Sequence, residues 1–215
     1  MNIGLIRVLS LENREAIDRH GALIEEAFPG LYVQSQCIKD QPYGIYDEKS
    51  EEIAKPKIIE LGKTLEGKVE AIIISCAADP AVEELKNELC IPVIGAGESL
   101  AAVSRVLGNS VGVITITDSL PDPVKRGLGE HCLAWVRMGG VENTLDLKEG
   151  DVVARTLCAA RHLKEQGSGV IALACTGFST LEVASSLSCT LNVPVVDPLI
   201  AAGTIAYSQM LSRVR

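Results

Sequence analysis

Aromatic side chains make up only 3% of the 215 residues, so the core must rest on the Ile, Val, Leu and Ala behind the 47% hydrophobic share. Short apolar runs of these types are what buried parallel strands use. Basic charge is also in deficit, with 20 Lys and Arg against 28 Asp and Glu, for a formal charge of −8. Nucleic-acid binders concentrate positive charge on one face, so no nucleic-acid partner is expected. No apolar run is long enough to span a bilayer, and no membrane partner is expected either. No charged leader precedes the first apolar run, which points to a cytoplasmic protein without a signal peptide. The seven cysteines contain no CxxC, and His20, His131 and His162 are scattered far from one another. A metal site is therefore not expected, and the thiols read as free in a reducing compartment. There is no GxGxxG after the first strand and no Walker loop, so no cofactor is expected.

What the chain does have is a repeated thiol. Cys76 ends the apolar run in EAIIISCAADP and Cys175 ends that in GVIALACTGFST. Each run is followed by small residues and then a helical pattern, which reads as a buried parallel strand turning into a helix. Ligands collect at such carboxyl ends.

The repetition extends along the chain. IGLIRV near the start is matched by VGVITI at residues 111–116, Cys90 and Cys189 follow the two thiols at the same interval, and CIPVIGAG answers LNVPVVDPL. Residues 1–104 and 108–215 are expected as two pseudo-symmetric Rossmann-like α/β lobes with parallel sheets. The active site would lie in the cleft between them, and the C-terminal tail could cross back onto the first lobe.

Two thiols facing one carbon could remove a proton from one face and return one to the other, each serving as base or acid according to the enantiomer bound. A helix N-terminus beside a cysteine lowers its pKa. Asp79-Pro80 reads as N-cap and first turn of a helix after Cys76, with Val82, Leu85 and Leu89 on its buried face. Ser179 to Glu182 reads as a capping box after Cys175. Both thiols are accordingly expected to be acidified.

At these residues the chain resembles the aspartate/glutamate/hydantoin racemase superfamily, and within it the hydantoin racemase branch. The resemblance rests on SCAADP with Cys76, IPVIGAGESLAA with Gly95 and Glu98, VGVIT with Thr115, ALACTGFS with Cys175 and VPVVDPLIAAG with Asp197. YGIYDE, with Tyr46, is similar to a family stretch that reaches toward the active site. The resemblance implies a cofactor-independent isomerase with Cys76 and Cys175 as its two catalytic bases, a small anionic or hydantoin-like substrate, and a homodimer or larger homo-oligomer. The chain departs from the family at two places. Arg7-Val8-Leu9-Ser10 stands where hydantoin racemases carry an Asn-Pro-Asn-Thr loop, and Arg7 and Gly177 stand where glutamate racemases place an Asp and a His.

Arg7 could pair a substrate carboxylate through its planar fork, or lie on the surface of a β–α loop. Ser10, Tyr46, Ala77, Thr115, Thr117, Thr176 and Gly177 complete the candidate substrate-binding set, as hydroxyls, backbone donors or small residues that leave room for a ligand. Glu98 and Asp197 read as supports between the halves. Cys37, Cys90, Cys132, Cys158 and Cys189 read as core or interface filler. Residues 39–57 read as a lid, an interface arm or an exposed connector. A cysteine-dependent decarboxylase or cis-trans isomerase of the same fold, or a non-catalytic intracellular binding protein, are the alternatives.

Overall fold

The computed structural model describes residues 1–148 and 151–212, and its strands form two four-stranded parallel sheets. The first half runs β1 (Asn2–Arg7), α1 (Arg14–Ala27), β2 (Tyr32–Cys37), α2 (Glu48–Leu65), β3 (Ala71–Ser75), α3 (Val82–Glu88), β4 (Val93–Gly95) and α4 (Ala96–Leu107). The second runs β5 (Val111–Thr115), α5 (Asp122–Leu128), β6 (Cys132–Arg137), α6 (Val152–Glu165), β7 (Val170–Leu173), α7 (Gly177–Thr180), α8 (Val183–Leu191), β8 (Val195–Val196) and α9 (Pro198–Ser212). Strand orders match, β2-β1-β3-β4 and β6-β5-β7-β8. This is the α/β class with two like sheets that the repeated strings imply.

Strand β3, β5 and β7 residues are buried throughout, which is why their sequences are continuously apolar rather than alternating. In each sheet the order reverses between two central strands, β1 and β3 in one and β5 and β7 in the other. That reversal opens a crevice beyond the carboxyl ends of those strands. Both thiols follow such ends.

The halves exchange their last helices. Leu100 and Ala101 of α4 pack with Val111, Val113 and Val170 of the second sheet. In return, Leu199, Ala202 and Ala206 of α9 pack with Ile3, Leu5 and Ile73 of the first. A cut between residues 104 and 108 would leave both apolar faces bare, at roughly 25 cal/mol per Å² of apolar area returned to water.

Part of the polar stretch at 39–57 is helical. The Asp47 side chain accepts from the Ser50 N–H at 2.7 Å and the Ser50 hydroxyl accepts from the Asp47 N–H at 3.0 Å, a reciprocal cap that starts α2. Cys90, Cys158 and Cys189 are exposed rather than part of the core, because they fall on the turn before β4 and on the outward faces of α6 and α8. Cys37 and Cys132 are half-buried. No helix among the described residues is long and apolar enough to cross a membrane.

Candidate active site

Both strand-end thiols open into one cleft of about 660 Å³ between the two sheets, with Ser75 and Ala77 on one side and Ala174 and Thr176 on the other. The two sides are bonded directly. The Thr176 hydroxyl donates to the Ser75 carbonyl at 3.2 Å.

The loop after Cys76 differs from the expected cap. Asp79 and Ala81 both take left-handed backbone, with φ of 51° and 60°, and α3 starts only at Val82 without a side-chain cap. The Asp79 carboxylate instead turns to the N-terminus of α4, accepting from the N–H groups of Gly97 at 2.7 Å and Glu98 at 2.6 Å. Those donors have no partner within the helix, so a carboxylate there offsets the strain of the turn. Glycines make the approach possible. A Cβ on Gly95 would lie 2.3 Å from Asp79 Cγ, and one on Gly97 would lie 2.1 Å from the Ala77 carbonyl oxygen. Burial pushes the Asp79 carboxyl up to about 7, against the pull of these N–H groups.

The second half solves the same problem with the groups reversed. The capping box expected at Ser179–Glu182 does not form, because Glu182 takes left-handed backbone and pairs with Arg19. Ser179 donates instead to Asp197 at 2.9 Å, and Asp197 caps α9 through the N–H groups of Leu199 and Ile200 at 2.8 and 3.1 Å. The carboxylate sits on the cysteine loop in one half and on the final helix in the other. Glu98 stays outside the cleft lining, accepting from the Gly95 N–H at 3.1 Å and from Lys86.

Burial also decides the thiols, and it acts against the expected acidification. The Cys175 thiol is pushed up to about 11 by burial, although the Gly177 N–H (3.4 Å), the Thr144 hydroxyl and the Phe178 N–H favour its ionised form. Burial likewise pushes the Cys76 thiol up, opposed by the Ala78 N–H and reinforced by charge on Cys175. Helix-terminal donors reach Cys175 as expected and only a loop N–H reaches Cys76, but at both thiols desolvation of the thiolate outweighs the donors. Because charge on one sulfur disfavours charge on the other, the pair resists holding two thiolates at once.

Arg7, Tyr46, Ala77, Thr117 and Thr176 line this cleft. Arg7 is buried rather than superficial. Its Nη1 donates to the Ala16 and Ile17 carbonyls at 2.8 and 3.2 Å, its Nε has no hydrogen-bond partner, and burial pulls its pKa down to about 10. Ser10, Thr115 and Gly177 lie outside the cleft lining. The Ser10 hydroxyl is held between the Ile38 carbonyl and the Gln41 N–H, and Thr115 lies under the Thr117 hydroxyl at 2.8 Å. Gly177 lines a smaller cavity of about 240 Å³ behind the Cys175 loop.

Several lining residues carry no signal in the sequence. Thr144 comes from a 3-10 turn and His20 from α1. The cleft also carries Asp47, Glu48, Glu51, Glu52, Asp118 and Asp122 against Arg7 and Lys55, a field that disfavours multiply anionic ligands. Among the described residues no group of three or more His, Cys, Asp or Glu could hold a metal ion.

The family model for Asp/Glu/hydantoin racemases matches residues 20–206, a span that takes in both thiols and the helices that carry their loops. The chain belongs to the Asp/Glu/hydantoin racemase family. Within that family it is similar to the hydantoin racemase of Paenarthrobacter aurescens, 26% identical over 145 residues that cover 65% of this chain and 61% of that protein. It is also similar to the hydantoin racemase of Pseudomonas sp. (strain NS671), 29% identical over 168 residues covering 74% and 66%. The matched stretches span less than two thirds of either relative's length. In fold, the allantoin racemase from Klebsiella pneumoniae superposes with a TM-score of 0.85 at 24% identity, over 98% of this family member and 87% of that chain. Solved structures of an arylmalonate decarboxylase and of the maleate isomerase from Pseudomonas putida S16 share the same fold.

Proposed function

We propose that the protein is a cofactor-independent racemase or epimerase in which Cys76 and Cys175 work from opposite faces of one carbon. The observation that carries this reading is that both strand-end thiols line one cleft, Cys76 from the first sheet's side and Cys175 from the second's. A pair that resists double ionisation carries at most one thiolate, so whenever one sulfur is the base the other stays protonated as the acid. The thiolate takes the proton from the substrate carbon, the C–H electron pair moves onto the neighbouring carbonyl oxygen as an enolate, and the opposite thiol returns a proton to the other face. The two sulfurs finish with their protonation states exchanged, poised for the reverse reaction.

Burial suits both roles. A neutral thiol is the resting acid, and a desolvated thiolate is a stronger base toward a carbon acid than an acidified one. Thr117 and Thr176 line the cleft with hydroxyls whose protons go to the Ser119 and Ser75 carbonyls, which leaves the backbone N–H groups of the loop after each thiol as the donors toward developing enolate charge. Arg7 supplies buried positive charge, while the carboxylates around the cleft disfavour a second negative group on the substrate. The family and its hydantoin racemase relatives support an amino acid or a hydantoin as the substrate class, with the reacting carbon beside a carboxylate or ring carbonyl. The sequence halves 1–104 and 108–215 each contribute one thiol.

The test is solvent exchange. The full chain is incubated in D₂O with single enantiomers of amino acids and substituted hydantoins, and labelling is followed by NMR alongside chiral analysis. Deuterium at the carbon with loss of optical purity is the expected result. Release of CO₂ or double-bond isomerisation without racemisation would move the protein to the decarboxylase or isomerase alternative, and no labelling of any candidate would contradict the reading.

A further inference from the structure

His20 is buried at 2% exposure on α1, where Leu23 and Ile24 beside it are ordinary core residues. An apolar side chain would serve packing equally well at such a position. The imidazole instead spans two elements. Its Nδ1 lies 2.8 Å from the Ser75 hydroxyl and its Nε2 lies 2.9 Å from the Thr180 hydroxyl. Ser75 is the last residue of β3, directly before Cys76, and Thr180 closes α7, the helix that begins just after Cys175 and Thr176.

These contacts form one connected chain. From Thr180 it runs through the ring to the Ser75 side chain, and the Ser75 carbonyl then accepts the Thr176 hydroxyl at 3.2 Å. Residues flanking both thiols are thereby fastened to one rigid planar group, which itself faces the cleft. Hydroxyl partners donate or accept as required, so either neutral tautomer satisfies both ring nitrogens. The Arg19–Glu182 ion pair holds the same helix to the residue that starts α8, a surface support beside the buried one.

We propose that His20 is a positioning residue that sets the relative placement of the two thiol-bearing loops across the cleft. The proposal rests on the reading that both thiols do the chemistry. His20 acts through Ser75 and Thr180, and it exchanges no proton with the substrate. Two-faced proton transfer needs both sulfurs within reach of one carbon, and misplacement by about 1 Å can lower a rate about a hundredfold.

The experiment compares the full-length protein with His20→Leu, His20→Asn and His20→Gln. An Asn amide reaches the Nδ1 position and keeps the Ser75 bond, whereas a Gln amide reaches the Nε2 position and keeps the Thr180 bond. The first readout needs no substrate: iodoacetamide alkylation rates at each cysteine by peptide mass spectrometry, with exposed Cys90, Cys158 and Cys189 as internal references. His20→Leu is expected to change the Cys76 and Cys175 rates by about tenfold with the references within about twofold; Asn should return Cys76 toward wild type, and Gln should return Cys175. On a substrate found by D₂O labelling, kcat should fall at least about tenfold with KM within about twofold. Folded His20→Leu protein, checked by circular dichroism, that alkylates both thiols at wild-type rates would overturn the proposal. Should His20→Leu not fold, equal restoration of both thiols by Asn and by Gln would overturn it. A wild-type enzyme that labels no candidate would remove the racemase reading, and alkylation would still decide the role of His20.

Discussion

The Thr176 hydroxyl reaches across the cleft to the Ser75 carbonyl at 3.2 Å, so the residue after one catalytic candidate is bonded to the residue before the other. Each half thus supplies one end of the bond, and it sits in buried surroundings where an orphaned carbonyl is costly. Thr176→Val keeps the shape and removes the donor. A loss of about 1 kcal/mol in urea unfolding is expected. An unchanged midpoint and slope would mean that the halves are held by helix exchange alone.

Gly97 is fixed by backbone it cannot push aside. Its Cβ would stand 2.1 Å from the Ala77 carbonyl oxygen, next to Cys76. Gly97→Ala should destabilise by roughly 1–3 kcal/mol, and the displaced Cys76 loop should lower activity further. Wild-type stability and activity in Gly97→Ala would show that the loop tolerates displacement.

The raised thiol pKa makes a signed prediction for stability. Cys175 goes from an ordinary 9.0 to about 11 in the folded chain, so the folded state keeps its proton where the unfolded state loses it. The contribution is complete below pH 9 and is lost as pH rises through about 11, at up to about 1.4 kcal/mol per pH unit within that window. Urea unfolding at about pH 8 and about pH 10 should therefore show a larger drop for wild type than for Cys175→Ser. Parallel losses in the two proteins would mean that the folded thiol titrates normally. Cys76 is raised in the same direction, chiefly by burial, and that part of its shift remains in both proteins and cancels in the comparison.

Metal removal gives a further check. Among the described residues no cluster of His, Cys, Asp or Glu has the makings of a metal site, so dialysis against EDTA should leave racemisation unchanged. Loss of activity that added metal restores would argue against proton transfer by thiols alone.

The two sheets and the strand-end thiols were legible because buried parallel strands are written as uninterrupted apolar runs, and a cysteine ending two such runs marks the same place twice. Local motifs misled where distant groups competed for them. Asp79-Pro80 has the composition of an N-cap, yet the free N–H groups at the start of α4 lie within reach, and Gly95 and Gly97 let the carboxylate take them. Donors near each thiol promised acidification, but a string of letters does not show how much water the fold removes. His20 was illegible for another reason. It stands 55 residues from Ser75 and 160 from Thr180, and the three meet only where α1 packs against α7 and over the end of β3.

The measurement closest to the central claim is stereospecific exchange by single-cysteine variants. Cys76→Ala and Cys175→Ala, each lacking one acid and one base, should lose net racemisation while each still labels one enantiomer in D₂O, and the two should label opposite enantiomers. Cys90→Ala, an exposed site outside the cleft, should label as wild type does. A folded Cys76→Ala or Cys175→Ala protein that racemises near the wild-type rate, or two variants that label the same enantiomer, would contradict the two-thiol account.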